Sequence, residues 1–278
     1  MGMRTYDLAF SLGFSCACTQ SLREAGLQFA SYPFDWVGTP CLQASVHMLE
    51  TDFSGWMDKD DLELYDIRRA PLFSKVYRNA RTGFGFPHDF PYSRAFEEAY
   101  PSVRERYDRR IRRLTDMIAS SRKVLAVYVE SVISRRLKDD ELMAVQRGLG
   151  ARFPGVTVDL LYFFHEDGCV APRETRVGEG VMAVGLAYKR VEFGEVVHEI
   201  NRGPVVSYLR ECVTVGDLRS ESDRAAYQVR HRRQRENRWG DAGPVRRLFN
   251  KFVYRLYRRL ERRLESVGTI PRERPLWF

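Results

Sequence analysis

The chain has 278 residues, 44% hydrophobic and 13% aromatic, enough to bury one substantial core. That content excludes wholesale disorder, and no apolar run is long enough for a membrane span. The net charge of +8 is unevenly placed: residues 219–278 carry 17 Lys/Arg against 7 Asp/Glu, a net +10, which leaves −2 for residues 1–218.

Residues 6–10 form a short apolar run that ends at Gly13 and predicts a first strand. Residues 15–25 then carry a helix signature, with Ser15 as N-cap, Leu22 and Ala25 on one face and Gly26 just past the end. Strand, glycine-containing turn and helix start converge on Cys16. From 29 to 90 the pattern is broken by Pro, Gly and aromatics and reads as short helices and ordered loops. Residues 102–119 predict a strong helix, with Tyr107, Ile111, Leu114 and Ile118 at helical spacing and a dense arginine face. A strand over 124–129, a helix over 139–149, a strand over 156–164 and a further strand over 181–187 follow. This alternation predicts an α/β fold, a mainly parallel sheet with helices on both faces.

The tail differs. Residues 228–238 read as a basic linker, and residues 245–264 as an amphipathic helix. There Leu248, Phe249, Phe252, Val253, Leu256, Leu260 and Leu264 recur at three- and four-residue spacing among eight Lys/Arg, with Glu261 the single acid. The split in charge predicts a domain over 1–218 and a basic helical appendage over 219–278. The apolar stripe of this C-terminal helix can dock on the body or on a second copy. Alternatively it can lie on an anionic membrane surface, with Trp239 and Trp277 at headgroup level. Nucleic acid is the weakest of the three partners, because no recognition motif accompanies the charge. The first residues lack the apolar run of a signal peptide, so the expected place is the cytoplasm, peripheral to the inner membrane if the tail binds there.

Five cysteines, Cys16, Cys18, Cys41, Cys169 and Cys212, form no zinc-ligand spacing, and their odd number suits free thiols. Neither a metal nor another cofactor is called for. Cys16 stands where chemistry would want a thiol, because a helix N-terminus favours the thiolate and offers N–H groups to a developing oxyanion. Cys18, a fraction of a turn later, should point elsewhere and be structural. His88, between Pro87 and Asp89 in a Gly- and aromatic-rich loop, is suited to take the thiol proton and return it to a leaving group. Asp89 could orient the imidazole, although adjacent side chains usually diverge. His47, His165, His198 and His231 lack any supporting pattern. In Ser31-Tyr32-Pro33-Phe34-Asp35-Trp36, Pro33 fixes a turn that Phe34 and Trp36 can anchor in the core. Asp35, between two aromatics, must find a partner there, either as support for the site or for its own turn.

Phe10-Ser11-Leu12-Gly13-Phe14-Ser15-Cys16, Leu22-Arg23-Glu24-Ala25-Gly26-Leu27, Pro33-Phe34-Asp35-Trp36 and His88-Asp89-Phe90 resemble, in order, successive blocks of a family of papain-like cysteine peptidases. That family is a bacterial domain of unknown function. The likeness continues through Tyr107 to Leu114 and covers roughly residues 6–165. It implies a thiol hydrolase or acyltransferase acting on an acyl- or peptide-type substrate. Cys16 would be the nucleophile and His88 the general acid and base, with Asp89 as a candidate third member and Ser15, Asp35 and Trp36 in support. The strand, Gly-x-Ser-Cys and helix also resemble the first block of SGNH-type hydrolases and their GSCFA relatives, where the nucleophile follows the first strand of a doubly wound sheet. The competing reading is a non-catalytic binding or assembly protein in cell-envelope polysaccharide work.

Overall fold

The computed structural model describes residues 2–68, 74–130, 136–188 and 197–216, with side chains in the last segment from Arg202 onward. The basic linker and the amphipathic helix expected over 228–238 and 245–264, with Trp239, Trp277 and the membrane or self-association roles given to them, lie outside the described residues.

The first strand comes in two pieces, β1 (Arg4–Tyr6) and β2 (Leu8–Ser11). Helix α1 (Cys16–Glu24) follows with Ser15 as N-cap and Ala25 as C-cap. After a 3-10 turn over Pro33–Trp36 come α2 (Leu42–Glu50) and three strands, β3 (Leu62–Arg68), β4 (Ser74–Asn79) and β5 (Gly85–Pro91). Helix α3 (Phe96–Ala119), β6 (Lys123–Val129), α4 (Asp139–Arg152) and β7 (Thr157–His165) match the expected alternation. The chain then forms β8 (Arg173–Gly178), β9 (Val181–Leu186), α5 (Val197–Cys212) and β10 (Val213–Val215).

The central sheet has the order β2-β6-β7-β9-β8, parallel throughout except for β8, which runs antiparallel to β9. A parallel β1-β10 pair continues beside its first strand. Both faces are buried. Along β6, Val124, Ala126 and Tyr128 enter one hydrophobic cluster, while Leu125, Val127 and Val129 enter the other. The first cluster is closed by residues of α2, α3 and α4, such as Leu49, Leu114 and Leu142. The second is closed by Cys18 and Leu22 of α1 and by Val205 and Leu209 of α5. A continuous apolar run such as that of β7 is what burial on both faces requires.

The segment expected to be short helices and ordered loops has the short helices, in the 3-10 turn and α2, but differs after them. Strands β3, β4 and β5 form an antiparallel sheet in that order, and α2 precedes it. Pro87 and Pro91 make β5 read as a breaker region, yet β5 is an edge strand, where a missing N–H is tolerated. Its partner is fixed by the Asn79 turn: the Asn79 Oδ1 accepts from the N–H groups of Arg81 and Thr82, and Gly83 takes φ +77°. Phe34, Phe84, Phe86 and Tyr107 surround Trp56 at ring distances of 4.6–5.9 Å and join this small sheet to α3. Helix α3 also starts earlier than expected and carries Pro101 as its sixth residue, where the ring removes the N–H that would bond the Glu97 carbonyl.

Candidate active site

Cys16 opens α1 directly beyond the carboxyl end of β2, on a turn that only glycine can make. Gly13 has φ +108°, and a Cβ there would stand 2.3 Å from Thr39 Oγ1. The Ser15 hydroxyl accepts from the Ala17 N–H at 3.4 Å, capping the helix end where Cys16 sits half-buried. In open α/β sheets this carboxyl edge is where ligands bind.

Two positions later the environment reverses. Cys18 is fully buried, its Sγ 3.3 Å from the Val127 carbonyl, and burial pushes its thiol up to about 12. It remains a neutral, packed thiol, as the helix geometry predicts.

Residues Cys16, Thr19 and Arg23 share one face of α1, at i, i+3 and i+7. That face receives the 3-10 turn. The fully buried Asp35 carboxylate accepts from Thr19 Oγ1 at 2.9 Å, Arg23 Nη2 at 3.1 Å, Gln28 Nε2 at 2.8 Å and the Tyr32 N–H at 2.8 Å. Burial pushes this carboxyl up, and Arg23 with the three neutral donors pulls it back. Asp35 therefore holds its own turn against α1. Phe34 is buried beside it, whereas Trp36 is only half-buried, so Phe34 alone is the core anchor.

Trp36 instead meets the other candidate. Its ring lies edge-to-face with His88, centroids 6.4 Å apart at 87°, and the Arg23 guanidinium sits 4.9 Å over the same indole. His88 is not in a loop. It lies in β5, exposed, inside a bulge: β4 advances from Lys75 to Tyr77 while β5 advances from Phe90 back to Phe86, two residues more. Bulges of this kind re-aim a side chain out of a regular ladder. Asp89, next in sequence, goes inward and is buried, its two oxygens accepting from Arg106 Nη1 at 2.9 Å and the Tyr107 hydroxyl at 2.7 Å. Burial, with Asp89 next in effect, pushes the Tyr107 phenol well up, so it stays a donor. Asp89 thus ties β5 to α3, and its carboxylate is engaged there.

One short stretch joins the two halves. Gly38 and Gly85 exchange both backbone hydrogen bonds, at 2.8 and 2.9 Å, and the Thr39 N–H bonds the Phe14 carbonyl at 2.9 Å. Residues 36–39 thereby bridge the start of the His88 strand to the turn that delivers Cys16.

The carboxyl edge of the sheet holds groups that the sequence reading did not single out. Glu130 follows β6 and is buried, and the preceding Val129 N–H bonds the Gly13 carbonyl at 3.3 Å. Tyr188 follows β9; burial, then Glu130, pushes its phenol up. A charge placed directly after six apolar strand residues was the available signal for Glu130. His165 at the end of β7 is structural: its Nδ1 accepts from the Tyr188 N–H at 2.9 Å, so Nε2 carries the proton toward Asp167 at 3.0 Å. His47 is exposed, and the side chains of His198 and His231 lie outside the described residues. Among the described residues, no group of three or more His, Cys, Asp or Glu side chains could hold a metal ion, and no helix is long and apolar enough to cross a membrane.

Comparison with known proteins adds a family. The uncharacterized protein R408 of Acanthamoeba polyphaga mimivirus is 28% identical over 143 residues, which is 46% of this chain and 64% of that viral protein, so the match spans less than two thirds of the relative. No solved structure matches the chain. The family described as "Putative papain-like cysteine peptidase (DUF1796)" matches residues 7–167, from the start of β2 to just beyond β7 and including both Cys16 and His88. With more than half of its length inside that match, the chain belongs to this family.

Proposed function

We propose that the protein is a thiol hydrolase or acyltransferase, with Cys16 as nucleophile and His88 as general acid and base. The observation that carries this reading is the bridge through residues 36–39, which ties the turn before Cys16 and the bulge bearing His88 to one element. The family's peptidase description supports the reaction class.

In the proposed reaction His88 takes the Cys16 thiol proton, and the thiolate attacks the acyl carbon. The oxyanion is received by first-turn N–H groups of α1. As the tetrahedral intermediate collapses, the bond to the leaving amine or alkoxide breaks and His88 returns the proton to it. Water, or an acceptor nucleophile, then attacks the thioester with His88 as base, which regenerates the thiol. Trp36 holds the imidazole ring in place, and Ser15 caps the helix that presents the thiol. Asp89 acts through the strand, fixing β5 on α3, so it is a positioning residue. Substrates of acyl or peptide type belong to this proposal.

The test is the rate of iodoacetamide labelling at each cysteine against pH, in the wild type and in His88→Ala. Cys16 alone should label quickly below about pH 7 and lose that reactivity without His88, while Cys18 labels only after denaturation. Equal, ordinary labelling of Cys16 in both proteins would overturn the reading in favour of a non-catalytic scaffold.

A further inference from the structure

Around the segment from Ser31 to Trp36 and the Asp89 end of β5, four arginines meet two carboxylates. Arg23 of α1 pairs with Asp35 and also donates to the Ser31 hydroxyl at 3.0 Å. On α3, Arg106, Arg110 and Arg113 stand at i, i+4 and i+7, one face of the helix. Arg106 pairs with Asp89, and Arg113 donates to the Ser31 carbonyl at 2.9 Å. Between them Arg110 lies with its guanidinium 5.0 Å over the Tyr107 ring. Its Nη1 is buried and has no acceptor among the described residues. Of the other α3 cations near it, Arg104 pairs with Asp108 and Arg109 with Glu105, and Arg112 donates to the Asp108 carbonyl at 3.4 Å.

A buried donor left without an acceptor is costly, and buried donors in folded proteins are almost always paired. Here the unpaired donor belongs to a cation. Arg106 retains 38% side-chain exposure, so the cluster opens to solvent. The chain links it to the proposed chemistry from the inner face of β5, since Asp89 follows His88 and points away from it, and Ser31 leads into the turn carrying Trp36.

We infer that Arg110, with Arg106 and Arg113, forms an oxyanion subsite that receives a carboxylate or phosphate group of the substrate. This rests on the Cys16–His88 reading for the reaction, and narrows its substrates to acyl compounds carrying such a group. Arg110 gives the group a planar, two-pronged donor that a lysine would not reproduce.

The experiment uses the full chain, titrated separately with inorganic phosphate and with succinate at fixed ionic strength. Binding is followed by the arginine side-chain Nε–H resonances. Wild type should bind at least one of the two anions, and the stronger binder identifies phosphate or carboxylate as the group accepted. Arg110→Gln should weaken that binding about tenfold or more. Arg110→Lys should recover only part of it. Arg109→Gln, which removes the same charge from an exposed ion pair one residue away, should bind as wild type does. Absence of binding in the wild type, or equal weakening by Arg109→Gln and Arg110→Gln, would overturn the subsite. Cys16 labelling that depends on His88 would leave the reaction standing in that case, whereas anion binding without such labelling would leave the subsite and remove the reaction.

Discussion

At the residue scale, Asp35 shows how a motif can be legible while its purpose is not. A carboxylate between two aromatics had to find partners, but the sequence left open whether these belonged to the site or to the turn. Its four donors come from α1, Gln28 and Tyr32, so the carboxylate joins helix to turn. Removing it would take from the Arg23 guanidinium, only 10% exposed, the carboxylate it pairs with at 3.1 Å. Asp35→Ala is therefore expected to destabilise the fold by about 3–5 kcal/mol, measured by denaturant unfolding. The contrast between Cys16 and Cys18 was readable from helix periodicity alone, because two residues on a helix differ by about 200° in direction. Asp89 was harder. Strand alternation sends it away from its neighbour His88, yet only the position of Tyr107 and Arg106 shows where it goes.

At the scale of elements, local signals worked where they are complete within one segment. The Ser15 cap, the Gly26 stop and the 3.6-residue rhythm of α3 all lie inside their own helices. The antiparallel sheet of β3, β4 and β5 was missed because its two prolines mask a strand and its bulges shift the alternation on which a strand is recognised. The turn at Gly13 is an element-level device as well. Gly13→Ala combines an unfavourable φ, worth about 1–3 kcal/mol, with a clash against Thr39. Thr39 Oγ1 is buried without a partner among the described residues, so Thr39→Ala alone should cost little. The double variant should relieve the contact with Oγ1 but keep the 2.9 Å contact with the residue-39 Cβ and the φ cost, a partial rescue visible in thermal unfolding. Full rescue would show that neither φ at Gly13 nor the remaining Cβ contact carries a cost.

At the scale of the whole molecule, the sheet is closed by contacts distant in sequence, and one of them makes stability depend on pH. Asp7, at the break between β1 and β2, accepts from the N–H groups of Lys123 and Arg122, at 2.9 and 2.7 Å, and these hold its carboxyl below the ordinary value. A depressed folded-state pKa contributes stability that is present above the unfolded value, near 3.9, and is lost as pH falls through the folded value. Asp7→Asn should lower the unfolding midpoint at neutral pH, and the gap from wild type should shrink below about pH 4. A gap that stays constant with pH would mean that the carboxylate charge is immaterial and only its hydrogen-bonding shape counts.

By itself the sequence determined the α/β alternation, the capped helix that begins at Cys16, the burial of Cys18 and the concentration of positive charge after residue 218. Each follows from capping, periodicity or composition, which act over a few residues and need no knowledge of what lies opposite. Tertiary structure alone decided that His88 projects from a bulge against Trp36, that residues 36–39 join its strand to the turn before Cys16, and that Arg110 lies buried beside Tyr107 without an acceptor among the described residues. These depend on which strand pairs with which and at what register, set by the packing of aromatic residues dozens of positions apart.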